Sequence, residues 1–117
     1  MLKVKLMNKI AKVGTDVLSP KKYEVSDNAA NEDAIMVRSA ALHDMEFSPN
    51  LRAIARCGAG VNNIPIEKCT KAGVVVFNTP GANANAVKEL AIASLILASR
   101  DLVGGIDWVK TLAGQET

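Results

Sequence analysis

Apolar residues fall into short blocks along this chain, separated by polar breaks rich in glycine, proline and asparagine. Val4, Leu6 and Met7 read as a first strand, closed by Asn8-Lys9. Lys9 to Leu18 predicts a weak helix, broken at Gly14 and ended by Ser19-Pro20. Tyr23 to Val25 is a second short strand, and Asp27 to Asp33 is polar and loop-like. Ala34 to Val37 is a continuous apolar run, the pattern of a strand buried on both faces, and Leu51 to Ala55, apolar but for Arg52, gives another strand. Pro65 opens a helix running to Ala72, and Gly73 supplies its C-terminal stop. Val74 to Phe77 is the last strand.

From Asn83 or Asn85 a longer helix is expected, with an asparagine as N-cap, reaching at least Leu102 before Gly104-Gly105 interrupts it. Val87, Leu90, Ala91, Ser94, Leu95 and Ala98 share one face, and Ile92, Ala93, Ile96 and Leu97 make most of the rest apolar. A helix apolar nearly all round must be covered on all sides, which calls for a second domain or a partner chain. Strands alternating with helices give the fold class: α/β, a flavodoxin-like, doubly wound parallel sheet with right-handed crossovers, followed by a long helix.

Composition narrows the partners. The chain has 117 residues, 49% hydrophobic, enough to bury a core without a disulfide or metal. A net charge of +2, scattered lysines and arginines, and one Trp, one Tyr and two Phe argue against nucleic acid as a partner. Cys57 and Cys69 stand alone, with no metal-ligand spacing, and fit two reduced thiols in a reducing cytoplasm. Neither the N-terminus nor the apolar run from Leu90 to Ala98 suits a secretion signal or a membrane span.

Candidate chemistry lies after the strands, because ligands of open α/β sheets bind outside the carboxyl ends. Gly58-Ala59-Gly60-Val61-Asn62-Asn63 matches the first two glycines of a dinucleotide fingerprint, but the third position is Asn63, Pro65 delays the helix, and the next strand ends in Asn78 where an acid is needed. The loop is therefore not a pyrophosphate site. It is either a cradle of backbone N–H groups for a carboxylate or phosphate, flanked by Arg56, or a tight turn that needs glycine for positive φ. Arg38-Ser39 places a guanidinium, a hydroxyl and free N–H groups at a strand end, suited to an oxyanion or to capping the strand. Asn83 and Asn85 are caps or ligand contacts. His43 has no acid or nucleophile at a catalytic spacing and reads as a surface residue, so no catalytic base is assigned.

Four stretches, Val37 to Ala40, Ala55 to Ile64, Gly73 to Pro80 and Asn83 to Leu90, together resemble the NAD-dependent D-2-hydroxyacid dehydrogenases, in order and over about residues 34–103. The resemblance implies that 1–82 is the first segment of a substrate-binding domain and 83–117 the helix crossing toward a nucleotide-binding domain. It implies a small-molecule substrate contacted by Arg38, Ser39, Arg56, Gly58, Ala59 and Asn83. It places Ala59 and Val87 near the nicotinamide of NAD, and implies a homodimer or higher homo-oligomer. The reaction implied for the parent enzyme is oxidation of 3-phospho-D-glycerate to 3-phosphohydroxypyruvate on the way to serine, with another D-2-hydroxy acid such as lactate or glycerate as the alternative. The family's catalytic arginine, glutamate and histidine have no counterparts in these residues, so the chain alone should be inactive. Asn62 stands where the family usually has Asp, Lys88 where Ala is common, and the segment between Tyr23 and Ala34 is short for the family. A non-enzymatic flavodoxin-like module is the reading of another class. A signalling receiver would need acids where Asn8-Lys9 and Arg38-Ser39 stand. A free-standing dimerisation domain would use the apolar helix.

Overall fold

Five strands, all parallel, form one sheet in the order β2-β1-β3-β4-β5 in the computed structural model, which describes residues 1–115. They are β1 (Leu2–Leu6), β2 (Tyr23–Ser26), β3 (Ala34–Val37), β4 (Ala53–Arg56) and β5 (Val75–Phe77). The helices are α1 (Lys12–Thr15), α2 (Ile66–Ala72), α3 (Ala84–Ser99) and α4 (Leu102–Thr111). The chain divides into two units, Met1–Ala82 with the sheet and a second from Asn83 with α3 and α4.

The register gives each sheet face its role. Ile35 pairs with Ile54 and Ile54 with Val76, so these side chains line up on one face. Ile35, Val37 and Ile54 are fully buried there with Leu42, Leu51, Ile64, Cys69 and Val74. Fully burying an Ile or Leu is worth about 1.5–3 kcal/mol, so this cluster is what holds the unit together. Leu42, Leu51 and Ile64 lie in loops: the irregular segments beside β3 and β4, together with α2, cover the core face. The opposite face carries Ala34, Met36, Ala53 and Ala55 in register with Val75 and Phe77. At the β5 edge it is open, with Val75 49% and Phe77 57% exposed. Burial of these strands on both faces, expected from their apolar runs, is therefore realised on one face only.

Local expectations meet mixed outcomes. α2 and its stop are as expected: Gly73 takes φ 69°, the left-handed conformation glycine reaches without a Cβ penalty. The expected helix from Lys9 to Leu18 shrinks to Lys12–Thr15 and buries no residue, since Gly14 and two flanking apolar positions cannot sustain a buried stripe. No helix crosses between β2 and β3.

The second unit departs further. Asn83 precedes α3, but neither it nor Asn85 caps through its side chain, and the Asn85 Nδ2 donates to Glu89 Oε1 instead (2.8 Å). The helix breaks at Asp101, with φ 45°, and Gly104-Gly105 lie inside α4, not at an interruption. Asp101 explains both: its carboxylate accepts from Gly104 N at 3.2 Å, capping α4, and stands where a Cβ on residue 104 would be. No residue of α3 or α4 is buried, and Leu90 and Leu95 are each 70% exposed. No described helix is long and apolar enough to cross a membrane.

Candidate functional site

In a sheet ordered 2-1-3-4-5 the strand order reverses between β1 and β3, and ligands of such sheets sit at that switch point, past the carboxyl ends. Here those ends are tied together by side chains that reach backbone atoms of neighbouring loops. Asn8, just after β1, accepts at Oδ1 from three successive N–H groups: Arg38 (3.0 Å), Ser39 (2.9 Å) and Ala40 (2.9 Å). Arg56 Nε donates to Arg38 O at 3.0 Å, and Arg56 Nη1 donates to Gly60 O. After β5, Asn78 Nδ2 donates to Ala59 O (2.8 Å), Thr79 N to Gly58 O (3.0 Å) and Thr79 Oγ1 to Arg56 O (3.2 Å). Behind them the buried Asn63 donates to Ala40 O (2.8 Å) and accepts from Leu42 N at its own carbonyl (2.9 Å).

This network corrects two sequence expectations. The N–H groups of Arg38 and Ser39 are not free for a ligand, because Asn8 fills them. The glycines after β4 do not serve positive φ, since neither Gly58 nor Gly60 has it. They serve close approach: a Cβ on residue 58 would lie 3.1 Å from Arg56 Cζ, and one on residue 60 would lie 3.2 Å from Arg56 Nη1. The loop is wound around its own arginine, so a pyrophosphate has no place inside it, as the missing third glycine implied. Arg56 is consequently a brace, with only its remaining N–H donors facing outward.

Other groups stay available. The Arg38 guanidinium and Ser39 hydroxyl, both exposed, make no hydrogen bond to a described residue, and the N–H groups of Gly58, Ala59 and Gly60 find no acceptor among the described residues. A cavity of about 310 Å³ is lined by Lys9, Met36, Arg38 and Cys57 among others, so a second cation stands at the same edge. A larger one, about 820 Å³, holds none of these groups. Its Lys68 is tied to Met45 O (2.6 Å) and lies 4.7 Å from the centre of the Phe47 ring, while His43 Nε2 pairs with Asn62 O (2.9 Å). That cavity holds Lys71 as a further cation, but it lies beside α2 and away from the Arg38 and Gly58–Gly60 groups. Among the described residues no three His, Cys, Asp or Glu are grouped to hold a metal. Cys69 is buried at the core, and desolvation pushes its thiol above the usual range, against the opposing effects of Lys68 and a backbone hydrogen bond. Asn83 and Val87 belong to the second unit, where Val87 N donates to Asn83 O (3.0 Å) and Val87 is exposed.

Sequence reasoning passed over Asn8, which looked like no more than a strand end. The signal was its position: a short amide directly after the strand that borders the switch point.

Comparison with known proteins agrees with the α/β fold. The chain is 40% identical over 73 residues to the D-3-phosphoglycerate dehydrogenase of Mycobacterium tuberculosis, covering 60% of this chain and 14% of the relative. It is 40% identical over 73 residues to the hydroxypyruvate reductase of Thermotoga maritima, covering 60% of this chain and 24% of the relative. The crystal structure of NAD+-bound 3-phosphoglycerate dehydrogenase from Entamoeba histolytica superposes with a TM-score of 0.69 at 28% identity, over 82% of this chain and 38% of that one. The chain thus spans well under half the length of these proteins. A family profile described as "D-isomer specific 2-hydroxyacid dehydrogenase, catalytic domain" matches residues 3–116. With a match over almost its whole length, the chain belongs to the D-isomer-specific 2-hydroxyacid dehydrogenase family.

Proposed function

We propose that this chain provides substrate-binding groups of an NAD-dependent D-2-hydroxyacid dehydrogenase acting on 3-phospho-D-glycerate. The observation that carries the reading is the division of labour at the sheet edge: Asn8, Arg56, Asn78 and Thr79 bind the protein's own backbone, while Arg38, Ser39 and the N–H groups of Gly58, Ala59 and Gly60 are left without partners. Polar groups so placed suit two oxyanions, a carboxylate on the backbone N–H groups and a phosphate on Arg38 and Ser39, where a guanidinium gives bidentate contact. NAD, when bound, supplies the hydride acceptor for the substrate's C2. The loop after β4 does not fit the pyrophosphate, so of this chain only Ala59 and Val87 are proposed to face the nicotinamide, both on the family resemblance alone. Asn83 is proposed as a substrate contact on the same ground. No general acid or base is assigned here, and the 117-residue chain by itself is expected to bind without turnover.

A second reading, an unphosphorylated acid such as D-glycerate or hydroxypyruvate, is favoured by one observation: Arg56 is turned inward, so Arg38 is the one arginine fully free at the edge. Titrating the chain with 3-phospho-D-glycerate, D-glycerate, D-lactate and inorganic phosphate separates the two. The leading reading expects 3-phospho-D-glycerate to bind tightest and Arg38→Met to weaken it at least about tenfold, the loss of one charge-assisted contact. D-Glycerate binding as tightly as the phosphorylated acid would favour the second. A cytoplasmic homo-oligomer belongs to the same proposal, supported by the exposed Leu90, Leu95, Val103 and Trp108 of the second unit, and a clean monomer in light scattering would count against it.

A further inference from the structure

We propose that Asn8 is a positioning residue for oxyanion recognition, holding the Arg38-Ser39 turn by closing its backbone anion nest; this rests on the reading of Arg38 and Ser39 given above. Three consecutive N–H groups converge on one acceptor at 2.9–3.0 Å. Such a concavity is a binding site for an anion when it is open. Here a neutral amide oxygen from the residue just after the neighbouring strand fills it, and an amide oxygen has only two lone pairs for three donors, so no capacity is left for a ligand.

The consequence reaches the side chains. The Arg38 backbone is gripped on both sides, its N–H by Asn8 Oδ1 and its C=O by Arg56 Nε (3.0 Å), while its guanidinium makes no bond to a described residue. A backbone already fixed in the binding geometry loses little entropy when a ligand arrives, so affinity is kept. Asn8 also decides which groups read the ligand: the side chains of residues 38 and 39, and not their amides.

The test uses the 15N-labelled chain, titrated with 3-phospho-D-glycerate and with inorganic phosphate. In Asn8→Ala the Arg38, Ser39 and Ala40 amide resonances should move upfield and exchange faster, and affinity should fall at least about tenfold. Asn8→Asp, which keeps an acceptor oxygen in place, should return the three amide resonances toward their wild-type positions, while its added negative charge keeps oxyanion affinity low. Asn8→Gln, which displaces the oxygen by one methylene, should repeat the loss if the alanine variant does not fold. Because Asn8 acts through the Arg38-Ser39 turn, Asn8→Ala should cost clearly less in an Arg38→Met background, a pattern that a general loss of stability does not produce. Unchanged amide resonances, equal or tighter phosphate binding by Asn8→Ala, or the same loss in both backgrounds overturns the proposal. If the wild-type chain binds neither ligand, the functional reading of Arg38 and Ser39 fails by that result, and the three amide resonances still judge the clamp.

Discussion

Replacing Gly58 by alanine tests the claim that the loop after β4 is built around Arg56. The new Cβ would sit 3.1 Å from Arg56 Cζ, 3.2 Å from Nη1 and 3.4 Å from Nε, tighter than ordinary contact. The backbone itself objects to nothing, since Gly58 is outside the left-handed region. The guanidinium must therefore shift, weakening its bonds to Arg38 O and Gly60 O. Two charge-assisted bonds at an exposed edge are together worth about 1–2 kcal/mol. Against this, alanine stiffens the unfolded chain and returns about 0.4–1 kcal/mol. The net expectation is a loss of about 1 kcal/mol, or about 4–8 °C in the melting temperature of a unit this size. In an Arg56→Ala background only the unfolded-state gain remains, so the same substitution should be neutral or stabilising by about 0.5 kcal/mol. Chemical denaturation of the four variants gives the coupling directly. Equal cost in both backgrounds would refute the reasoning. Gly73→Ala serves as the contrast, because φ 69° makes its cost, about 1 kcal/mol, independent of Arg56.

Two further outcomes follow from the same geometry. Burial raises the folded-state pKa of Cys69 above the ordinary 9.0. Its contribution to stability is therefore present below pH 9 and lost as pH rises through the folded value; stability should drop above pH 9 less steeply in Cys69→Ala, and in native protein at pH 8 a thiol reagent should label Cys57 well before Cys69. Asp101→Ala removes the cap of α4 and leaves a non-glycine residue at φ 45°, so about 1–2 kcal/mol of local helix stability should go, read as a loss of ellipticity at 222 nm; unchanged ellipticity would show that Asp101 does not cap.

How the chain folds locally was largely written in its residues, and the reasons are local. Ala34–Val37 is a strand at the boundaries its apolar run gives, and Pro65 and Gly73 bracket α2 because each restricts or frees its own φ. The parallel order of the strands was also expected, although only two helices, α1 and α2, stand between them. Resemblance to the 2-hydroxyacid dehydrogenases was carried by motifs that a linear reading can see. Asn8, by contrast, acts on residues thirty positions away, and nothing near it in the chain announces that. Gly58 and Gly60 look like a phosphate loop or a tight turn until Arg56 is seen lying against them. Asp101, not the glycine pair, breaks the long helix, because a single carboxylate caps α4 and takes the space beside Gly104. Propensity and periodicity act within a few residues and are legible in order along the chain. Which polar group satisfies which backbone donor depends on strands brought side by side, and only the folded sheet decides it.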